Sequence, residues 1–456
     1  MNKSSIYSGA SVAQVREDVK HLVDFKNNGL SIGELHTLLQ EKLAPHLMRY
    51  DLPGFQSLFN AFPEEGAKLG AQIALDYNQG VTNWIVSPGG AMLEELCLRA
   101  VCSLFGFGSE ADATFMYCGT YANQEALYLA LHRFAEQQGF DYSTNGLKGF
   151  RGDKPLAVAA SSDAHFSIRH AVRMLGLGEE SIITLPVDKN RRIDVSGMKS
   201  VLDKNKIEKN VFCMVATTGT TSCGSVDPIS PLADYCRDND IWLHVDGAYG
   251  LAYSLVPEWK HLFNGIARAD SVAWDPHKQM GVPIPNSILF VRRWQDFGRM
   301  AVHSSYFNRS EDVEPNPGLK SPPSTRPFSA LPLVTSLLHQ GLDRVIERLR
   351  APLCAIRDFY DFCMTQKDIE VCNRPDTGIL CFRIIPQGYE GGAVDELQQT
   401  VHTKITAGGK RSISLTKLDG RTVLRVLAVS PAVTFGALKE TLALIREIAA
   451  GKQEQQ

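Results

Sequence analysis

Apolar and polar positions change rhythm three times along this chain. Over residues 11–60 they recur at helical spacing, in VAQVREDVKHLVDF and again in SIGELHTLLQEKL, with a turn at Asn27-Asn28-Gly29 between them. Ser31 with Glu34 three residues on is the pattern of a capping box. AMLEELCLRAVCSLF, residues 91–105, keeps the helical period. From about residue 111 the runs become short and β-branched: LAVAAS (156–161), SIITLPV (181–187), VFCMVAT (211–217), IWLHVD (241–246), SVAWD (271–275) and SILFVRR (287–293). Helix-like segments such as HFSIRHAVRMLGL fall between several of them. That alternation predicts βα repeats around a mostly parallel sheet buried on both faces. The last two runs lie too close for a crossover helix, so the final strand is expected to be antiparallel.

Beyond the strands, residues 307–327 (FNRSEDVEPNPGLKSPPSTRP) are Pro-rich and lack any period. They predict a long loop of the kind that closes over a site. A helical stretch follows at about 330–365, then the strand-like TGILCFRII, SISLTK and TVLRVLAV and a helix at about 435–450. The expected class is α/β, in three parts. Residues 1–83 form an N-terminal helical arm, 84–330 a large domain, and 331–456 a linking helix with a small C-terminal α+β domain.

Composition narrows the function. At 456 residues the chain exceeds one core. A net charge of -3 gives no general attraction to nucleic acid or anionic membrane, and no apolar run approaches the length of a membrane helix. The start, MNKSSIYSGASVAQVREDVK, lacks an apolar signal core, so a cytoplasmic protein is expected. Its ten cysteines are scattered, with no CxxC and no Cys/His cluster, which predicts reduced thiols and no metal site.

Ligands in open α/β sheets gather at the C-terminal ends of the strands. The polar residues there are His165, Thr220, Thr221, His244, Asp246, His277 and Lys278. Taken singly, each has a plainer reading: a lysine after a strand is commonly a solvated strand end, and an acid there commonly caps the next helix. Together they suit one cofactor. The Lys278 amine can form a Schiff base with an aldehyde, and Asp246 can hold a pyridine nitrogen protonated. Pyridoxal phosphate needs both. Tyr117-Cys118-Gly119-Thr120-Tyr121-Ala122-Asn123 leads small residues into the helix QEALYLALHRF, a place for a phosphate. His165 could stack on one ring face and Ala248 lie against the other, while Thr221 could bond the ring hydroxyl or a substrate carboxylate. There is no GxGxxG fingerprint and no P-loop.

The set YCGTYAN, SSDAHFS, ATTGTTSCGSVDPI, HVDGAYG and DPHK, in this order and spacing, resembles the group II pyridoxal-phosphate-dependent amino-acid decarboxylases. These include aromatic L-amino-acid, tyrosine, histidine and glutamate decarboxylases. SPGGAMLEE (87–95) is similar to their SPA-x-x-E-L-E segment, and the likeness runs from about residue 84 to 293, more faintly to 431. The resemblance implies the fold type I architecture of pyridoxal-phosphate enzymes: a seven-stranded, mostly parallel sheet with one antiparallel strand, working as a homodimer with shared sites. It implies Lys278 as the Schiff-base lysine, Asp246 as the pyridinium partner, His165 as the stacking residue and Ala248 on the other ring face. Gly119, Thr120 and His277 would hold the phosphate, with Thr221 near the ring hydroxyl.

Three departures bear on this expectation. Asp275 stands where many decarboxylases have Asn, as in the D-x-H-K of the related sphingosine-phosphate lyases. Tyr121 replaces an acidic residue. The loop 307–327 contains no Tyr to reprotonate Cα, which leaves His303, Tyr306, Lys320 and Ser321 as candidate donors. The expected reaction is decarboxylation of an L-amino acid to its amine. The alternatives are a decarboxylation-dependent aldehyde synthase and a carbon–carbon lyase. Which amino acid is used is not legible.

Overall fold

The structure, a computed structural model, describes residues 5–23, 25, 29–304 and 314–451. In chain order its main elements begin with helices α1 (Val12–Val19), α2 (Ile32–Lys42), α3 (Glu65–Asp76) and α4 (Pro88–Leu104). Strands and helices then alternate: β1 (Asp112–Met116), α5 (Gly119–Gln137), the short α6 (Tyr142–Asn145), β2 (Leu156–Ser161), α7 (Ser167–Met174), β3 (Ile182–Leu185), α8 (Val195–Asn205), β4 (Asn210–Thr217), α9 (Ile229–Asp238), β5 (Trp242–Asp246), β6 (Ser271–Trp274) and β7 (Ser287–Val291). The C-terminal third holds α10 (Ala330–Met364), β8 (Ile369–Val371), β9 (Ile379–Ile384), α11 (Gly392–Ala407), β10 (Ser414–Leu418), β11 (Arg421–Leu427) and α12 (Phe435–Gly451).

Two compact units result. One comprises residues 63–350, the other residues 1–62 with 351–456. These boundaries differ from the expected 83/84 and 330/331. The first 62 residues do not form a domain of their own: Ile6 donates its N–H to the Gly409 carbonyl, and Phe55 bridges Ser412. The expected capping box forms, with Ser31 Oγ accepting from Glu34 N–H while Glu34 Oε2 accepts from Ser31 N–H. Of the expected turn at 27–29, Asn27 and Asn28 lie outside the described residues.

In the larger unit seven strands make one sheet in the order β1-β7-β6-β5-β4-β2-β3. Strand β7 runs antiparallel to both β1 and β6, and the other pairs are parallel. The single antiparallel strand follows from the short β6–β7 connection. Every residue of β5, β6 and β7 is buried, as a sheet covered on both faces requires. Helix α5 provides much of one cover: Ala126, Leu127, Ala130 and Leu131 share a core with Val158, Val215, Ala273 and Leu289. Strand β1 was not among the expected runs, because Asp112 and Thr114 interrupt its apolar residues.

The smaller unit carries an antiparallel sheet, β10-β11-β9-β8. Its core joins Phe359, Phe382, Val401, Leu424 and Leu442. This is the expected C-terminal α+β architecture, with β8 as an additional strand. Helix α10 enters this unit after a break at Gly341 (φ 67°), a left-handed backbone that glycine adopts without strain.

Candidate active site

The sheet brings the expected residues to one edge. Thr217 of β4 is in register with Asp246 of β5, and Asp246 with Ala273 of β6. All three strands are parallel and end together, so the turns carrying Thr220, Ala248 and Lys278 leave the same side. Strand β1 runs parallel to β6, since β7 opposes both. The start of α5, just after β1, therefore points to that edge as well.

Two clusters of side chains form there. The first surrounds Lys278, whose Nζ lies 3.0 Å from Asp275 Oδ2. His277 Nε2 is 3.6 Å from the same oxygen, while its Nδ1 bonds the Asn286 carbonyl. Burial pushes the His277 imidazole below its ordinary pKa, against the pull of Asp275. Gly119, the first residue of α5, is pressed close: a Cβ there would lie 3.0 Å from Ala248 Cβ and from Asp275 Oδ2. Thr120 follows, partly buried.

The second cluster centres on Asn123, a residue that sequence reasoning did not single out. Asp246 ends β5 buried, and as a carboxylate it only accepts. Asn123 Nδ2 must therefore face it, donating to Asp246 Oδ2 at 2.8 Å and to Ser167 Oγ at 2.8 Å. Asn123 Oδ1 is left to accept from His244 Nε2 at 2.8 Å. His244 Nδ1 then accepts from Ser271 Oγ at 2.8 Å, and Ser271 Oγ accepts from Trp242 Nε1 at 2.8 Å. On the other branch Ser167 Oγ, having accepted from Asn123, donates to His165 Nδ1 at 2.9 Å. The donors and acceptors close in one way only, with the ring proton of each histidine on Nε2.

The electrostatics agree. Burial drives the His244 pKa down to about 4, against the attraction of Asp246, so the ring is neutral. Burial also lowers the His165 pKa; Asp246 opposes this and Lys278 adds to it. The Ala248 N–H donates to Asp246 Oδ1 at 3.1 Å. Ala248 thus links the two clusters, touching Asp246 through its backbone and the Gly119 position through its Cβ.

A sequence signal for this network existed. Trp242, His244 and Asp246 alternate along β5 and so share one face. Asn123 sits on α5 in line with Ala126, Leu127 and Ala130, all buried. A polar residue in an apolar stripe must find a partner.

Other expected residues stand apart. Thr221 is exposed on the turn after β4 and is not drawn into either cluster. Thr220 is buried, with its Oγ1 accepting from Ser225 N–H at 3.1 Å, so it pins its own turn. Tyr121 is 54% exposed. Lys320 Nζ pairs with Asp112, at the end of β1 remote from α5. Ser321 Oγ is buried and accepts from Arg326 Nη1. His303 is exposed, and Tyr306 lies outside the described residues.

The loop 307–327 is corrected in part. Residues 307–313 lie outside the described residues. The remainder is tied to the same unit: Gly318 N–H donates to the Thr82 carbonyl, Val81 N–H to that of Arg326, and Tyr117 Oη to that of Thr325. Residues 317–327 are therefore anchored rather than a free lid.

These groups fit pyridoxal phosphate. The start of α5 has no side-chain cap from Cys118, so its N–H groups are open to an anion, and Gly119 removes the Cβ that would fill the space. Lys278 supplies an amine and Asp246 a buried carboxylate. Among the described residues no cluster of His, Cys, Asp and Glu could hold a metal ion.

Residues 19–385 match the family model described as the pyridoxal-dependent decarboxylase conserved domain. The L-2,4-diaminobutyrate decarboxylase of Acinetobacter baumannii is 28% identical, over 81% of this chain and 74% of its own length. The aromatic-L-amino-acid decarboxylase of Bacillus atrophaeus is 28% identical, over 92% and 86%. Among solved structures, the glutamate decarboxylase domain of a diaminobutyrate-pyruvate transaminase and L-2,4-diaminobutyrate decarboxylase from Vibrio parahaemolyticus superposes with a TM-score of 0.88. It is 23% identical, covering 99% of this chain and 92% of that one.

Proposed function

The chain belongs to the pyridoxal-dependent decarboxylase family, and on that premise we propose how its residues perform pyridoxal-phosphate-dependent decarboxylation of an amino acid. The amine, rather than an aldehyde or a cleavage fragment, is the product that membership supports. When bound, the cofactor supplies the sink for the electron pair released as CO2 leaves Cα.

The chain's own residues do the rest. Lys278 would hold the cofactor's aldehyde carbon through Nζ and release it to the substrate amine. Asp246 would keep a proton on the pyridine nitrogen. Its two oxygens are held by Asn123 and by the Ala248 N–H, so the carboxylate is fixed before the cofactor arrives. His165 would stack on the ring; Ser167 occupies its Nδ1 and so fixes its orientation. Ala248 would bear on the opposite face. Gly119, Thr120 and His277 would take the phosphate, and Thr221 would reach the ring hydroxyl or the substrate carboxylate from its exposed turn.

One observation carries this reading: Asp246 and His165 are joined through Asn123 and Ser167 at the sheet edge where Lys278 emerges. Borohydride reduction of the holoenzyme followed by peptide mapping should leave the pyridoxyl group on Lys278. An adduct elsewhere would overturn the assignment. Screening L-amino acids for CO2 release, with the products identified, would name the substrate.

The working form is a cytoplasmic homodimer with shared sites. Exposed apolar residues at and beyond α3 and on α4, among them Leu69, Leu75, Tyr77, Ile85 and Leu96, support a partner copy. All ten cysteines are free thiols, which supports a reducing compartment. Sedimentation of the active enzyme tests the dimer, and a catalytically active monomer would contradict it. Among the described residues no helix is long and apolar enough to cross a membrane.

A further inference from the structure

The phosphate end of the site already holds a carboxylate. Asp275 is 3% exposed, and the Ser287 hydroxyl donates to its Oδ1. Its Oδ2 is the oxygen paired with Lys278 Nζ at 3.0 Å. Both oxygens lie 3.0–3.1 Å from the position a Cβ on Gly119 would take, beside the uncapped first turn of α5. A helix N-terminus draws one anion strongly, and two anions there repel.

We propose that the Asp275 carboxylate competes with the cofactor's phosphate for the N-terminus of α5, making Asp275 a positioning residue that keeps pyridoxal phosphate weakly held and exchangeable. The inference rests on the reading that Lys278 and the start of α5 bind the cofactor. The chemistry is simple. A carboxylate only accepts hydrogen bonds, so it gives a phosphate oxygen nothing and adds a negative charge beside it. An amide of the same shape offers an N–H and removes that charge. Ser287 works the other way: its hydroxyl shares the charge of Asp275, so its loss should sharpen the repulsion.

The test separates the phosphate from the rest of the cofactor. Apoenzyme is titrated with pyridoxal phosphate and, in parallel, with pyridoxal, with absorbance and tryptophan fluorescence as readouts. Asp275→Asn should bind pyridoxal phosphate about tenfold tighter or more, the scale of one close like-charge contact at partly screened protein dielectric. The ratio of pyridoxal phosphate to pyridoxal affinity should rise by about the same factor, because any change at Lys278, the ion-pair partner of Asp275, acts on both ligands alike and only the repulsion needs the phosphate charge. Ser287→Ala should weaken pyridoxal phosphate binding and leave pyridoxal alone. Unchanged or weaker binding of pyridoxal phosphate by Asp275→Asn, or an equal gain for pyridoxal, would overturn the proposal. Should Asp275→Asn fail to fold, the Ser287→Ala result decides, and pyridoxal phosphate affinity unchanged there counts against it. A pyridoxyl adduct mapped away from Lys278 would instead show that the cofactor placement, not the role of Asp275, is at fault.

Discussion

Replacing Asn123 by Ala removes the residue on which three others depend. Asn123 is 1% exposed, so water does not readily take its place. Its loss costs a hydrogen bond to the Asp246 carboxylate, worth about 1.5–3 kcal/mol because one partner is charged. It also costs neutral bonds to Ser167 and His244, about 0.5–1.5 kcal/mol each. The expected destabilisation is about 3–5 kcal/mol, which lowers Tm by roughly 6–15 °C in a unit of this size. Activity should fall as well, since Asp246 and His165 lose their common tether; kcat should drop more than KM rises. Asn123→Asp keeps the shape but places a second carboxylate against Asp246, so it should be at least as damaging. That comparison separates hydrogen bonding from packing. Thermal melts and steady-state kinetics on purified variants provide both readouts. A Tm within about 2 °C of wild type together with unchanged kcat would refute the network as described.

Further outcomes follow from the same geometry. Asp246→Asn should still bind pyridoxal phosphate but lose about 10²-fold or more in kcat, the usual worth of a charge poised against developing charge; near-normal turnover would remove Asp246 from the mechanism. Gly119→Ala puts a methyl 3.0 Å from Ala248 Cβ and Asp275 Oδ2, so cofactor affinity should fall about tenfold or more while the fold is retained, as equilibrium titration would show. Folded His244 titrates near pH 4, whereas the unfolded residue titrates near 6.5, so only the unfolded chain gains a proton between those values. This contribution to stability is complete above about pH 6.5 and is lost toward pH 4 at about 1.4 kcal/mol per pH unit. His244→Gln should flatten the dependence of Tm on pH in that window relative to wild type, and identical slopes would argue against a buried neutral ring. Arg326→Met strands Glu94, 1% exposed and paired with it, and should cost about 3–5 kcal/mol. The double variant with Glu94→Leu should recover most of that loss in denaturant melts.

What could be read in the sequence, and what could not, divides along physical lines. The strands β2 to β7 were legible because a sheet buried on both faces must be written in runs of apolar residues, and the short β6–β7 link fixed the antiparallel member. Strand β1 did not stand out because Asp112 and Thr114 interrupt its apolar residues, although its partner β7 was plain. The unit boundary was misplaced because helical period alone does not say what a helix packs on: α1 and α2 bury no residue, and the first 62 residues join the C-terminal unit through backbone contacts at Ile6 and Phe55. Lys278, Asp246 and His165 stood out as candidates because each lies at or just beyond the C-terminal end of a buried strand. The partners of Lys320 and Ser321, Asp112 and Arg326, were not legible, because nearness in sequence to the Pro-rich loop says nothing about partners.

The hardest part to read was the scaffold of the site. Asn123 and Asp246 are 123 residues apart, and no spacing rule links them. Yet the demand for such a link was written in the chain. A strand buried along both faces that reads Trp-Leu-His-Val-Asp carries three hydrogen-bonding side chains on one face. Burying them unpaired would cost about 1–3 kcal/mol each, so the helix covering that face must answer with a donor and an acceptor. Asn123, which offers both from the face of α5 that carries Ala126, Leu127 and Ala130, is that answer. Ser271, in register with His244, completes it from the next strand. The Asp246 carboxylate is thereby fixed by fold-forming residues. Variants of Asn123, His244 and Ser271 should therefore shift stability and turnover together, whereas Asp246→Asn, which keeps an oxygen for Asn123 but sets its NH2 against the Ala248 N–H, should cost some stability and lower turnover far more.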